Sequence, residues 1–132
     1  MPPDSRSPKD WLRYIQSDLE LAEGPSGPHV LPEMQCFHAQ QAVEKSLKAV
    51  LIHRGLPYPK THNLRVLYDL LPGDLDPPPE VEEAVGLSDY AVVSRYPGEF
   101  EAVSPEDYRE AVRLTRAVVE WVRRVVITGS DC

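Results

Sequence analysis

The sequence predicts an all-α fold: a five-helix bundle of four main antiparallel helices plus one short helix. Three observations carry the prediction. Apolar residues recur at steps of three and four along the long segments, the beat of one helical face. Two segments open with the same Ser-Pro-x-Asp start, Ser7-Pro8-Lys9-Asp10 and Ser104-Pro105-Glu106-Asp107. The 14 prolines fall almost wholly between segments or in their first turns, where a missing N–H does no harm. No segment keeps the strict alternation of a strand.

The first helix starts at the Ser7 cap, with proline at the first helical position and an acid at the third. Leu12, Ile15, Leu19 and Ala22 form its apolar stripe with Trp11 beside them, and Gly24-Pro25-Ser26-Gly27-Pro28 ends it. The second is expected over 32–54, stopped by Gly55, with Leu56-Pro57-Tyr58-Pro59 as a stiff extended connector. A short third helix is expected over 63–71, capped by Thr61 or Asn63 and closed by Pro72-Gly73. The fourth, over 79–95, is interrupted by Gly86; Val81, Ala84, Val85, Ala91 and Val92 mark its apolar side before Tyr96-Pro97-Gly98. In the last helix Tyr108, Ala111, Val112, Thr115, Val118, Val119, Val122, Val125 and Val126 form a broad stripe that runs to about 128. Its valines favour a strand by propensity, but the 3.6-residue period and the cap decide for a helix.

The chain of 132 residues suits one domain, 1–132 with a core over about 8–128. Its formal net charge is −7, from 21 acidic and 14 basic residues, a poor basis for unspecific nucleic-acid binding. Two cysteines make no disulfide framework: Cys36 falls on a core stripe and Cys132 is the last residue. Met1-Pro2-Pro3-Asp4 lacks the basic start and apolar run of a secretion signal, and no stretch approaches a membrane span of roughly 20 apolar residues. A cytoplasmic location with no membrane partner is therefore expected.

The second helix is the unusual one. Cys36, Ala39, Val43, Leu47 and Val50 form its apolar stripe, while His38, Gln41, Lys45 and Lys48 follow at steps of three, four and three on another face. One face can pack while the other displays imidazole, amide and ammonium groups. No glycine-rich phosphate loop, His-Glu-x-x-His, Cys-x-x-Cys or nucleophile elbow is present. The four histidines do not pair at helical spacing, so neither a metal nor a cofactor is expected.

Two further clusters allow two readings each. His62, between Lys60-Thr61 and the start of the third helix, either braces the loop or joins Lys60 and free helix amides in a phosphate pocket; the residues favour bracing. Arg95 either complements the end of the fourth helix or holds a phosphate, with Tyr90 or Tyr96 stacked on a base. On the last helix Arg109, Arg113, Arg116 and Arg123, with Glu110 and Glu120, read as a solvated, salt-bridged face rather than an RNA-tracking stripe.

The run Phe37-His38-Ala39-Gln40-Gln41-Ala42-Val43-Glu44-Lys45-Ser46-Leu47-Lys48-Ala49, then Gly55, then Pro59-Lys60-Thr61-His62-Asn63-Leu64, resembles the HEPN family. The resemblance continues through Ser94-Arg95-Tyr96-Pro97-Gly98 and the last helix. It implies a helical bundle and one of two lines of function. Many HEPN proteins are metal-independent ribonucleases that use an Arg-x4–6-His pair completed across a homodimer. Here the nearest arginine upstream of a histidine is Arg54, with seven residues before His62, and no histidine follows Arg95. A divergent ribonuclease would have to bring His62 and Arg95 together in space. Small prokaryotic HEPN proteins of this size instead accompany a minimal nucleotidyltransferase, often as a toxin–antitoxin pair. The resemblance then implies a non-catalytic homodimeric module binding a nucleotide, an RNA end or the transferase. Its contact set would be His38, Gln41, Lys45, Lys48, Lys60, His62, Tyr90, Arg95 and Tyr96.

Overall fold

The structure is a computed structural model that describes residues 7–25, 27–95 and 103–128, with the backbone alone for 92–95 and 128. Five helices follow in order: α1 (Pro8–Glu23), α2 (Pro32–His53), α3 (Leu64–Asp69), α4 (Pro79–Glu83) and α5 (Pro105–Arg123). A 3-10 turn, Gly73–Leu75, precedes α4. Helix α4 runs on as a 3-10 helix over Ala84–Arg95, and α5 as a π-helical turn over Arg124–Thr128.

The helix ends obey the local chemistry of their residues. The Ser7 hydroxyl accepts from the Asp10 amide at 3.3 Å while the Asp10 carboxylate accepts from the Ser7 amide at 3.2 Å, a complete capping box. Ser104 caps α5 through the Asp107 amide at 3.0 Å. Helix α2 ends at Gly55, whose φ of +69° suits a residue without Cβ. The Gly55 amide donates to Ile52 O and that of Leu56 to Leu51 O, so two carbonyls of the last turn are satisfied.

Helix α2 lies at the centre, packed on by α1, α5 and the 3-10 part of the fourth helix. None of its residues is exposed, and its predicted stripe from Cys36 to Val50 is fully buried. Pairings along α1 give its direction. Gly24 meets Gln35 and Asp18 meets Lys45, while Ala22 meets Tyr108 and Gln16 meets Arg123. Thus α1 is antiparallel to both α2 and α5, which share a direction as alternate members of an up-down-up-down bundle do.

The fourth helix departs from the expected stripe. Val81, Ala84 and Leu87 are buried at steps of three, the period of a 3-10 helix, so Leu87 turns inward and Val85 is only half-buried. The switch comes two residues before Gly86, whose poor helix propensity weakens the α form there. Ala91 is buried as expected, and the Val92 side chain lies outside the described residues. In α5 Leu114 and Trp121 join the core beside the predicted valines, while Tyr108, Val112 and Val125 are half-buried.

One polar atom inside this core lacks a partner. Ser46, fully buried in α2, has a hydroxyl with no hydrogen bond among the described residues. An unsatisfied buried hydroxyl costs about 1–3 kcal/mol, and alanine is the better helix former. Ser46→Ala is therefore expected to raise stability by about 1 kcal/mol, read as a higher urea midpoint with unchanged slope. An equal or lower midpoint would mean that the hydroxyl is bonded in solution.

Candidate functional site

The outer edge of α2 lies between α1 and the connector that follows Gly55. Asp18 projects from α1 beside Ile15, Leu19 and Ala22 and is itself buried, 7% exposed. Its Oδ1 is 3.1 Å from His38 Nδ1, and its Oδ2 accepts from Lys45 Nζ at 2.5 Å. An ionised carboxylate can only accept, so His38 presents Nδ1–H to it and leaves Nε2 as its other polar atom.

One turn along, Glu44 does the same on a second set. Its carboxylate, 4% exposed, takes Lys48 Nζ on Oε2 at 2.9 Å. Oε1 receives His62 Nδ1 at 2.9 Å and Gln40 Nε2 at 3.1 Å. Gln40 Nε2 also donates to the His62 carbonyl at 3.2 Å, while Gln40 Oε1 accepts from Gln41 at 2.7 Å. Lys48 sits 5.4 Å from the centre of the Tyr58 ring, which adds a cation–π contact. The connector is thus fastened to α2 at Tyr58 and at His62.

Burial works to raise the Glu44 carboxyl, but the hydrogen bonds from Lys48, His62 and Gln40 outweigh it and hold the group below its ordinary value. It is a buried anion made tolerable by three donors.

His62 therefore braces the loop, through its ring and its carbonyl together. The amides that a phosphate would need at the start of α3 are already engaged. The Asn63 amide donates to Thr61 Oγ1, that of Leu64 to Ser88 Oγ and that of Arg65 to Asn63 Oδ1, each at 2.9–3.0 Å. Asn63 is the cap, and Thr61 supports it.

Of the predicted contact residues, His38, Gln41, Lys45, Lys48 and His62 come together along this edge. Lys60 is exposed on the connector. Tyr90 is elsewhere: it lies beside the buried Cys36 and lines an open groove of about 400 Å³ between the fourth helix and α5. Burial pushes the Cys36 thiol up to about 11, which leaves it unreactive. Arg95 closes the fourth helix with its side chain outside the described residues, and Tyr96 lies outside them altogether.

The anchors Asp18, Glu44 and Gln40 were not among the expected site residues. Their signals were local: an acid at the edge of the α1 stripe, and the row Gln40, Glu44, Lys48 at steps of four. The arginines of α5 make a salt-bridged face that combines the expected local pair with partners on other helices. Arg113 pairs with Glu110 at 2.6 Å and reaches Glu83 at 3.5 Å. Arg116 and Arg123 cross to Glu23 and Gln16 of α1.

An α-helical bundle with a buried-carboxylate ladder along its central helix defines a compact helical domain that displays positioned imidazole and ammonium groups. The HEPN domain model matches residues 8–125, most of the chain, and the protein belongs to the HEPN family. Two solved structures share the fold. The crystal structure of TT1696 from Thermus thermophilus is 28% identical with a TM-score of 0.73, covering 89% of this chain and 96% of that one. The crystal structure of ST0689, an archaeal HEPN homologue, is 24% identical with a TM-score of 0.68, covering 92% and 98%. No curated protein matches the chain. Among the described residues, no helix is long and apolar enough to cross a membrane.

The ladder has a pH signature. The folded-state pKa of Glu44 lies below its unfolded value, so its stabilisation is present above the unfolded value, near 4.5, and is lost as pH falls through the folded one. Glu44→Gln should lower stability at pH 7 by about 1–3 kcal/mol. The gap between the variant and the parent should close on acidification below about pH 4.5. Urea midpoints measured for both proteins across that range test this; a constant gap would remove Glu44 as the titrating group.

Proposed function

We propose that this HEPN domain is a non-catalytic, homodimeric, cytoplasmic module that acts with a minimal nucleotidyltransferase, as one half of a toxin–antitoxin pair. The α2 edge serves as its contact surface for the transferase or for a nucleotide or RNA end. The observation that carries this reading is the anchoring of His38, Lys45, Lys48 and His62 on Asp18 and Glu44. Side chains ordered before a ligand arrives lose less freedom on binding. Each lysine has three donors and spends one on its carboxylate, so donors remain for a phosphate or a partner's acceptor. The two carboxylates also offset the two ammonium charges, which suits a small ligand or a protein surface better than a long RNA backbone. Gln41, Lys60, Tyr90, Arg95 and Tyr96 are the other members of the proposed contact set.

A second reading, a divergent metal-independent ribonuclease, has one observation in its favour. Glu44 holds His62 by Nδ1 with the ring 53% exposed, the way a carboxylate orients an imidazole base. Against it, no arginine bonds His62 among the described side chains.

Titration calorimetry with ATP and with the nucleotidyltransferase co-purified from native cells separates the readings. Lys45→Ala and Arg95→Ala are expected to weaken one of these ligands by about tenfold, which is about 1.4 kcal/mol. Unchanged binding of both ligands in both variants would sink the surface. Metal-independent RNA cleavage lost in both His62→Ala and Arg95→Ala would establish the nuclease instead.

A further inference from the structure

The negative charge of this chain has an address. Of the 21 acidic residues, seven fall within residues 66–94, a stretch without lysine, arginine or histidine; the other 14 are balanced by the 14 basic residues elsewhere. In space the stretch comprises most of α3, the 3-10 turn and the fourth helix. Arg65 ties it together, reaching Asp69 at 3.5 Å and Glu82 at 3.3 Å. Arg54 holds Asp74 at 3.1 Å and Arg113 holds Glu83 at 3.5 Å. Three arginines thus serve four carboxylates. Asp76, Glu80 and Asp89 have no ion pair among the described residues; Asp76 and Asp89 are exposed and Glu80 half-buried. Asp89 is next to Ser88, whose hydroxyl accepts from the Leu64 amide, so the acidic rim extends from the start of α3 past its end.

Within that rim α3 turns an apolar edge outward. Val66 is 39% exposed and Leu70, the residue that closes the helix, 43% exposed. They stand one turn apart, with Asp69 in the same row. Leu64 and Leu67 serve the core, so this second apolar edge is left uncovered by the bundle.

We propose that the outer edge of α3 is a docking surface for a basic amphipathic segment of another protein. Apolar side chains of that segment cover Val66 and Leu70, and flanking lysines or arginines meet Asp76, Glu80 and Asp89. Charge selects this occupant. Nucleic acid and anionic lipid are repelled by a surface on which seven carboxylates outnumber the three arginines that reach it. A second copy using the same face would set like charges against each other across a two-fold axis. The inference concerns a face separate from the α2 edge and does not depend on the role proposed for that edge.

The test uses the full-length, isotope-labelled protein and two synthetic helical peptides of about four turns. One carries leucines along one edge with flanking lysines and arginines; the other has glutamates in place of the basic residues. The basic peptide is expected to bind saturably, to shift the amide resonances of Val66, Leu70 and their neighbours, and to weaken as salt rises. Leu70→Ser, an exposed change that leaves the core intact, should weaken it about tenfold. Asp76→Asn with Glu80→Gln and Asp89→Asn should flatten the salt dependence. The acidic peptide should not bind. Resonance shifts centred elsewhere, absence of saturable binding, or a Leu70→Ser variant that binds as well as the parent would overturn the proposal; the last result would mean charge attraction alone.

Discussion

The bundle depends on keeping an ionised Glu44 inside it. Glu44 is enclosed by other parts of the chain, so its carboxylate has little water to turn to. A carboxylate in that position is tolerable only if its lone pairs are filled. Lys48 comes from the same helix, Gln40 from the turn before, and His62 from across the connector. The last partner matters most for architecture, because it fixes how the chain leaves α2 and enters α3. Asp18 repeats the device on the other flank, where it joins α1 to α2 through His38 and Lys45.

These buried anchors differ in kind from the ion pairs on α5. Arg113 and Glu110 are both more than half exposed, and a pair in that setting contributes little. Losing a partner of Glu44 would leave a charge stranded where water cannot replace the bond. The polar face of α2 is therefore rigid for a structural reason before any ligand is considered. A surface built in this way serves recognition well, since its geometry is already set by the fold.

Most of the architecture was legible in the residues. Ser7 and Ser104 are strong local signals, Gly55 can hardly be anything but a stop, and the α2 stripe follows one clear period. What could not be read came from the third dimension. The 3-10 geometry of the fourth helix alters its period from 3.6 to about three and brings Leu87 inward, which an α-helical wheel misplaces. The grouping of His38, Gln41, Lys45 and Lys48 followed from spacing, but their anchors did not. Asp18 is distant in sequence, and Glu44 looks like an ordinary surface acid until α2 is known to be enclosed. Tyr90 shares neighbours in the chain with Arg95, whereas in space it lies beside Cys36 and the groove against α5.

The ties between the two ends of the described chain bear on the order in which it can fold. Tyr108 donates its hydroxyl to the Ala22 carbonyl at 2.5 Å, and Arg116 reaches Glu23, across separations of 86 and 93 residues. Thr115 also packs inside against Ala39. During synthesis α1 and α2 leave the ribosome long before these partners exist. The early hairpin can form its Asp18 contacts, but the flank of α2 destined for α5 stays bare until the final helix arrives. That interval is a period of exposed apolar surface, and it ends only when α5 has been made and packs against α1 and α2.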